Sequence, residues 1–310
     1  MSSSLLPPLA FQKGHVTIGL IVQMSDQRYA IRDERYAMQD YLTLSLRAYW
    51  FAPPVALWRA VELRTAAQET YHRPLLDLGC GDGLIAGILF GPGGVDAGID
   101  PWTEQVRKAA RSGVYRWVQR ADGHRLPYRS GAFATVFSNS VLEHIPDVAP
   151  VVTEAGRVLR PGGRFIFTVP SDAFHQLLYF YQSRLAAGKE ASARAYAAEV
   201  DARLAHYHYH SLAEWAELLT RSGMVLEKAR YYIPQEVEHL WDVMNERFGI
   251  GRRSLWGMLV SPRLQGLPHQ RWLARWVVRH FSRAWRDLYE MDVPAGEKGG
   301  GLLVVARREG

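Results

Sequence analysis

Apolar residues in this chain fall into short runs that end in Gly, Asp or Asn. Stretches with helical three-to-four-residue spacing separate them, as in a buried parallel sheet covered by helices. Leu75–Leu78 reads as a first strand and 84–90 as a helix, followed by a Gly-Pro-Gly-Gly turn. Val95–Ile99 is a second strand, Thr103–Arg111 a helix, Tyr115–Gln119 a third strand and Ala134–Asn139 a fourth. A helix from about Val148 to Leu159 is stopped by Arg160-Pro161-Gly162-Gly163, since proline and glycine cannot continue it, and strand Arg164–Val169 follows. Further on, Ser211-Leu212-Ala213-Glu214 is a capping box opening a helix. Leu212, Trp215, Leu218 and Leu219 share one face of that helix, and Gly223 ends it in a left-handed cap. Strands over about Val225–Ile233 and Leu302–Ala306 bring the count to seven. The pattern predicts an α/β fold with a mostly parallel seven-stranded sheet and helical cap insertions.

The loop after the first strand carries the chemistry. Gly79-Cys80-Gly81-Asp82-Gly83 places glycines at alternating positions, where a backbone cradle needs positive φ or the close approach of a ligand. A dinucleotide fingerprint would need its third glycine at 84, which is Leu84. Together with the preceding Asp77, the segment resembles the first motif of the class I S-adenosylmethionine-dependent methyltransferases, in their broad small-molecule branch (type 11). The later Leu142-Glu143-His144-Ile145 and Arg157-Val158-Leu159-Arg160-Pro161-Gly162-Gly163 strengthen the resemblance, which spans roughly residues 70–232 and 301–307. One departure is Phe133-Ala134, where the family commonly has Phe-Asp.

The resemblance implies a Rossmann-like fold and a pocket for S-adenosylmethionine. Asp77, Gly79, Cys80, Gly81 and Gly83 would hold its methionine end. Asp100, at the end of the second strand, would accept hydrogen bonds from the ribose hydroxyls. Asp is also a favoured helix cap, and that role is open beside the first. Pro101 and Trp102 would pack on the adenine ring. Asp122, with Gly123 beside it, would read the adenine edge, although Asp-Gly alone also reads as a turn. Asn139 completes the set of cofactor residues.

An apolar fraction of 48% supports a large core, and no apolar run reaches the ~18 residues of a membrane span. With no convincing cleavage region, the expected location is the cytoplasm, with peripheral membrane contact open. The single cysteine, Cys80, suits a packing role better than a nucleophile. Residues 1–73 read as a leader and a helical cap, with Met24 an alternative start after the apolar run Val16–Val22. Tyr41, Tyr49, Trp50, Phe51 and Trp58 make the cap aromatic. The core would comprise 74–171, 206–233 and 301–310, with helical insertions at about 172–205 and 234–300.

Methyl transfer needs alignment and, for some acceptors, a proton acceptor. His144 is the candidate base, its alternative being a structural histidine bonded to a loop carbonyl. His206, His208 and Tyr209 are candidate acceptor contacts. In an extended segment, His206, His208 and His210 would share one face, a zinc-like arrangement, but the segment also leads into the capped helix and no metal is assigned.

The net charge of +6 raises nucleic acid as a partner, but the basic residues gather in the second insertion, at Arg252-Arg253, Arg263, Arg271, Arg275, Arg279, Arg283 and Arg286. Interleaved Trp272, Leu273, Trp276, Val277, Phe281, Trp285 and Leu288 make Arg271–Leu288 an amphipathic helix that either meets a membrane surface or packs on the protein's own core. No nucleic acid is expected. The expected function is methyl transfer from S-adenosylmethionine to an oxygen or carbon of a small, hydrophobic or lipid-linked acceptor. The alternatives are an RNA or protein methyltransferase and a non-catalytic S-adenosylmethionine-binding protein with a membrane- or partner-binding helix.

Overall fold

Strands with continuous apolar runs must be covered on both faces, and that requirement organises the computed structural model, which describes residues 39–248, 255–261 and 268–310. The suggested leader, Met24, Arg252-Arg253 and Arg263 lie outside the described residues. Strands β1 (Leu75–Leu78), β2 (Val95–Asp100), β3 (Tyr115–Arg120), β4 (Phe133–Asn139), β5 (Leu159–Pro170), β6 (Met224–Tyr231) and β7 (Gly301–Arg308) form one sheet in the order β3-β2-β1-β4-β5-β7-β6. Pairing is parallel from β3 through β5, and β7 runs antiparallel to both of its neighbours. The strand order reverses between β1 and β4, so their carboxyl ends open the crevice in which such sheets take ligands.

Helices α1 (Tyr41–Ala48), α2 (Pro53–Ala66) and α3 (Leu84–Phe90) pack on one face of the sheet, against Phe137, Ile166, Leu303 and Val305. Helix α4 (Thr103–Arg111) follows β2, while α5 (Ala149–Val158) and α9 (Leu212–Arg221) cover Val136, Phe165, Phe167 and Val304 on the other face. Between β5 and α9 lie α6 (Phe174–Leu177), α7 (Tyr179–Ala186) and α8 (Glu190–Leu204). Between β6 and β7 lie α10 (Gln235–Phe248), α11 (Leu255–Leu259), α12 (Pro268–Ala284) and α13 (Arg286–Glu290). The capping box at Ser211 and Glu214 is formed, and Gly223 has φ +72°. Among the described residues, no helix is long and apolar enough to cross a membrane.

Two sequence expectations shift. Strand β5 begins at Leu159 rather than Arg164: Phe133 pairs with Leu159 and Thr135 with Arg164, so a register shift absorbs Pro161-Gly162-Gly163 inside the strand. The Arg271–Leu288 helix is two helices, because Trp285 leaves helical geometry between α12 and α13. The core-packing reading of its apolar face holds for Val277, Phe281 and Trp285, which are buried, whereas Trp272 and Trp276 are exposed.

Phe137 is buried at the centre of β4, and edge contacts with Phe90 and Tyr71 at 5.4 and 5.6 Å fix its ring. Phe137→Ala should destabilise the protein by about 3–5 kcal/mol, because the surrounding helices cannot fully collapse on the void. A lowered urea midpoint with an unchanged slope is the expected result.

Candidate active site

At the end of β1 the chain turns through Gly79, Gly81 and Gly83 with φ of +80°, +53° and +85°. All three lie in the left-handed region that glycine alone adopts without strain. The amides of Gly79 and Cys80 both donate to the Ile99 carbonyl, at 2.9 and 2.8 Å, which ties the loop to β2. A Cβ on Gly79 would lie 2.5 Å from Val141 and one on Gly83 2.9 Å from Tyr115, so these two are glycine for packing. A Cβ on Gly81 would meet nothing within 4 Å, so the open side of the loop is there.

Asp100 closes this cradle. Its Oδ2 accepts from the Gly81 amide at 3.0 Å and its Oδ1 from the Trp102 amide at 2.9 Å. A carboxylate has lone pairs beyond those two bonds, which suits it to a diol. It does not cap α4, whose N-cap is Trp102. Trp102 and Pro101 are exposed beside it. Asp77 is buried and accepts from the Tyr115 hydroxyl at 2.7 Å. Burial pushes its carboxyl up to about 7, the Tyr115 bond opposes that, and the charge of Asp100 adds to it. Burial, with Asp77 and Asp100 nearby, keeps the Cys80 thiol protonated far above the ordinary range, so it is no nucleophile.

Asp122 sits at the rim. Its exposed carboxylate accepts from the His124 backbone at 3.0 Å and pairs with His124 Nδ1 at 2.6 Å, which holds it below the usual carboxylate range. An adenine amino group would share this carboxylate with His124. Gly123 lies against Val151, which a Cβ would approach to 3.1 Å.

The end of β4 forms the second wall. Asn139 Nδ2 donates to Glu62 at 3.0 Å, while its Oδ1 is buried with no partner. Ser140 takes a left-handed φ of +50°, held by bonds from its hydroxyl to Glu62 and from its amide to Thr168. Val141 touches Gly79, so the following 3-10 turn, Leu142–His144, is seated on the glycine loop. An open Gly81, an orphaned acceptor on Asn139 and the Asp100 carboxylate at the β2 end together fit the cationic methionine end and the ribose of S-adenosylmethionine.

Within the turn, Glu143 is buried to 2% exposure, and its Oε2 has no partner. Burial pushes its carboxyl up to about 8. His144 Nδ1 bonds the Ala205 carbonyl at 3.0 Å, the loop-carbonyl bond weighed above, and its Nε2 lies 3.9 Å from Glu143 Oε1. The His206 ring is 5.1 Å from that of His144. His206 Nδ1 lies 2.9 Å from the Tyr209 hydroxyl, which itself donates to Asp201 at 2.5 Å. Because that phenolic hydrogen is committed to Asp201, His206 Nδ1 carries the hydrogen it shares with Tyr209, and its Nε2 keeps a lone pair. Burial, with His144 close by, holds the His206 imidazolium down to about 3.

Glu143, His144 and His206 each bring one ligand atom within 4.8 Å of the others, a set that could hold a divalent cation as well as handle a proton. The three histidines of 206–210 do not share a face. His208 bonds the Ile145 carbonyl at 3.1 Å and stacks on His210 at 4.4 Å, and both rings pack on Trp215. Tyr209 turns instead toward His206 and Phe174. Motif reasoning missed Arg59, Glu62, Asp201 and Tyr232. A single acid inside the apolar run of α2 was the one visible signal for Glu62.

Calorimetric titration of S-adenosylmethionine should show binding that Asp100→Ala weakens by about tenfold or more, as loss of charged hydrogen bonds requires. Gly81→Val, which fills the cradle, should abolish it. In the ligand-free protein both Asp77 and Glu143 have folded values above their ordinary 3.8 and 4.5, so the unfolded chain loses those protons first. The stabilisation is full below those ordinary values and is lost as pH climbs through about 7 and about 8. Melting temperature should fall across that window, less steeply in Asp77→Asn.

Comparison with known proteins gives this geometry a family. Residues 76–167 match the family model of a methyltransferase domain. An uncharacterised 37.1 kDa protein of a Streptomyces fradiae transposon is 40% identical over 101 residues, covering 31% of this chain and 29% of that protein. A ubiquinone biosynthesis O-methyltransferase of Thiobacillus denitrificans is 33% identical over 102 residues, 31% of this chain and 44% of that enzyme. The chain thus spans less than half the length of these curated relatives. Among solved structures, an S-adenosylmethionine-dependent methyltransferase of Thermotoga maritima shares the fold, with a TM-score of 0.50 at 13% identity over 81% of this chain and 89% of that one. Domain match, sheet order and glycine cradle agree that residues 76–167 form a methyltransferase domain of the class I, S-adenosylmethionine-dependent kind.

Proposed function

We propose that this protein transfers a methyl group from S-adenosylmethionine to an oxygen of a small, hydrophobic acceptor, with Glu143 taking the acceptor's proton. The observation that carries the reading is the contact of Val141 with Gly79, which seats the turn bearing Glu143 and His144 directly on the glycine cradle. When bound, S-adenosylmethionine supplies an activated methyl carbon whose bond to sulfur breaks as the acceptor oxygen attacks, the electron pair leaving with sulfur. The chain supplies alignment and a destination for the proton.

Glu143 suits that role because its unpartnered Oε2 has a carboxyl pushed up to about 8, near the working range of a general base. His144, anchored by Ala205, and neutral His206, anchored through Tyr209 and Asp201, flank it. Phe174 stacks on Tyr209 at 5.4 Å and meets Trp58 at 5.8 Å, an aromatic wall beside His206 that favours an apolar acceptor. Relatives named for ubiquinone biosynthesis O-methylation, matched over the domain, support oxygen as the acceptor atom. The aromatic wall supports a prenylated ring or similar lipid-like molecule as the acceptor class.

An acceptor screen read by S-adenosylhomocysteine release tests this. Turnover with an apolar hydroxylated acceptor should rise with pH and level off above about 8. Glu143→Gln should lower kcat by about 10²–10⁴-fold and flatten that rise, with cofactor affinity retained. A Glu143→Gln enzyme with the wild-type pH profile would assign the proton elsewhere.

A further inference from the structure

Helix α12 divides its surface unevenly. Val277 and Phe281 face the core, and Phe281 stacks on Trp285 at 4.1 Å. The other side presents Arg271, Trp272, Arg275, Trp276, Arg279 and Arg283 outward. Trp272 is 63% exposed and Trp276 42%, although either ring could have been buried at large gain. No acidic residue occurs anywhere from 268 to 284, so nothing within the helix neutralises the four arginines.

The neighbouring α11 extends this surface. Its Leu259 carbonyl accepts from Gln270 Nε2 at 3.1 Å, which ties the helix end to the first turn of α12. Met258 and Leu259 are both exposed there. A shallow groove on α12 is lined by Trp276, Arg279, His280 and Arg283, with the Trp276 ring stacked on His280 at 5.2 Å.

We infer that this face docks on an anionic lipid bilayer, with α12 lying in the plane of the interface. Exposed Trp, Met and Leu would enter the headgroup boundary, while the guanidiniums pair with phosphates beside them. Charge complementarity selects an anionic surface. The aliphatic Met258 and Leu259, which offer neither a stacking plane nor a hydrogen bond, select lipid over nucleic acid. This assignment rests on surface chemistry and is independent of the methyl-transfer reading. If both hold, docking would bring the site to the phase in which a lipid-like acceptor dissolves.

The test is vesicle co-sedimentation of the full chain, with phosphatidylcholine alone or mixed with phosphatidylserine, at low and high salt. Binding to the anionic vesicles only, weakened by salt, is expected. Arg275→Gln and Arg279→Gln should each weaken it about fivefold, the effect of one guanidinium near a charged surface. Trp272→Ala with Trp276→Ala should weaken it further without removing its salt dependence. These side chains are exposed, so circular dichroism should be unchanged, and activity on a water-soluble acceptor provides a separate readout of the site. Equal binding by wild type and all variants would overturn the inference. So would no vesicle binding by a folded protein, whether or not the patch then proves to bind RNA or to mediate dimerisation.

Discussion

A single buried carboxylate joins the helical cap to the sheet. Glu62 is fully buried in α2, and accepts from Arg59 at 2.5 Å, Ser140 at 2.7 Å, Tyr232 at 2.9 Å and Asn139 at 3.0 Å. Burial alone would push its carboxyl up, but the Arg59 charge and the bonds from Ser140 and Asn139 outweigh that and hold it below the usual range. Breaking such a pair from one side costs about 3–5 kcal/mol, because a buried charge is left without a partner. Here the same carboxylate also bonds Ser140, which holds a left-handed conformation two residues before the turn that carries Glu143 and His144.

On the proposed reading, the site has two halves with different physical origins. The cofactor half is backbone: positive φ at the glycines, amides shared with Ile99, and one carboxylate at a strand end. The acceptor half is built from side chains held in place by other side chains. Tyr209 is set by Asp201, His206 by Tyr209, and His144 by the Ala205 carbonyl. The same α/β sheet can therefore serve many acceptors, since the second half changes without disturbing the first.

The surface of α12 follows a different logic. Its buried stripe, Val277 and Phe281, meets the packing requirement of the core and leaves Trp272 and Trp276 exposed on the other side. One amphipathic sequence thus divides into a narrow apolar stripe inward and a broader basic-aromatic face outward. The hydrophobic pattern of the segment alone could not apportion Trp272, Trp276, Val277 and Phe281 between them.

Local chemistry made much of this protein legible in its sequence. Alternating glycines after an apolar run, Asp100 at the next strand end and the Ser211 capping box each act through neighbours a few residues away, so they appear as motifs. The positions of the seven strands followed from the length and composition of the buried runs, while their order in the sheet is seen only in the structure. The grouping of Glu143, His144 and His206, and the four partners of Glu62, were settled only in the folded chain. Apart from Arg59, three positions from Glu62, and the adjacent Glu143 and His144, those contacts join residues 61 to 170 positions apart, through bonds such as His144 to Ala205 and Tyr232 to Glu62. Likewise, the fold holds His206 near 3 and Glu143 near 8 chiefly by burial, and desolvation depends on what packs around a group and not on its place in the chain.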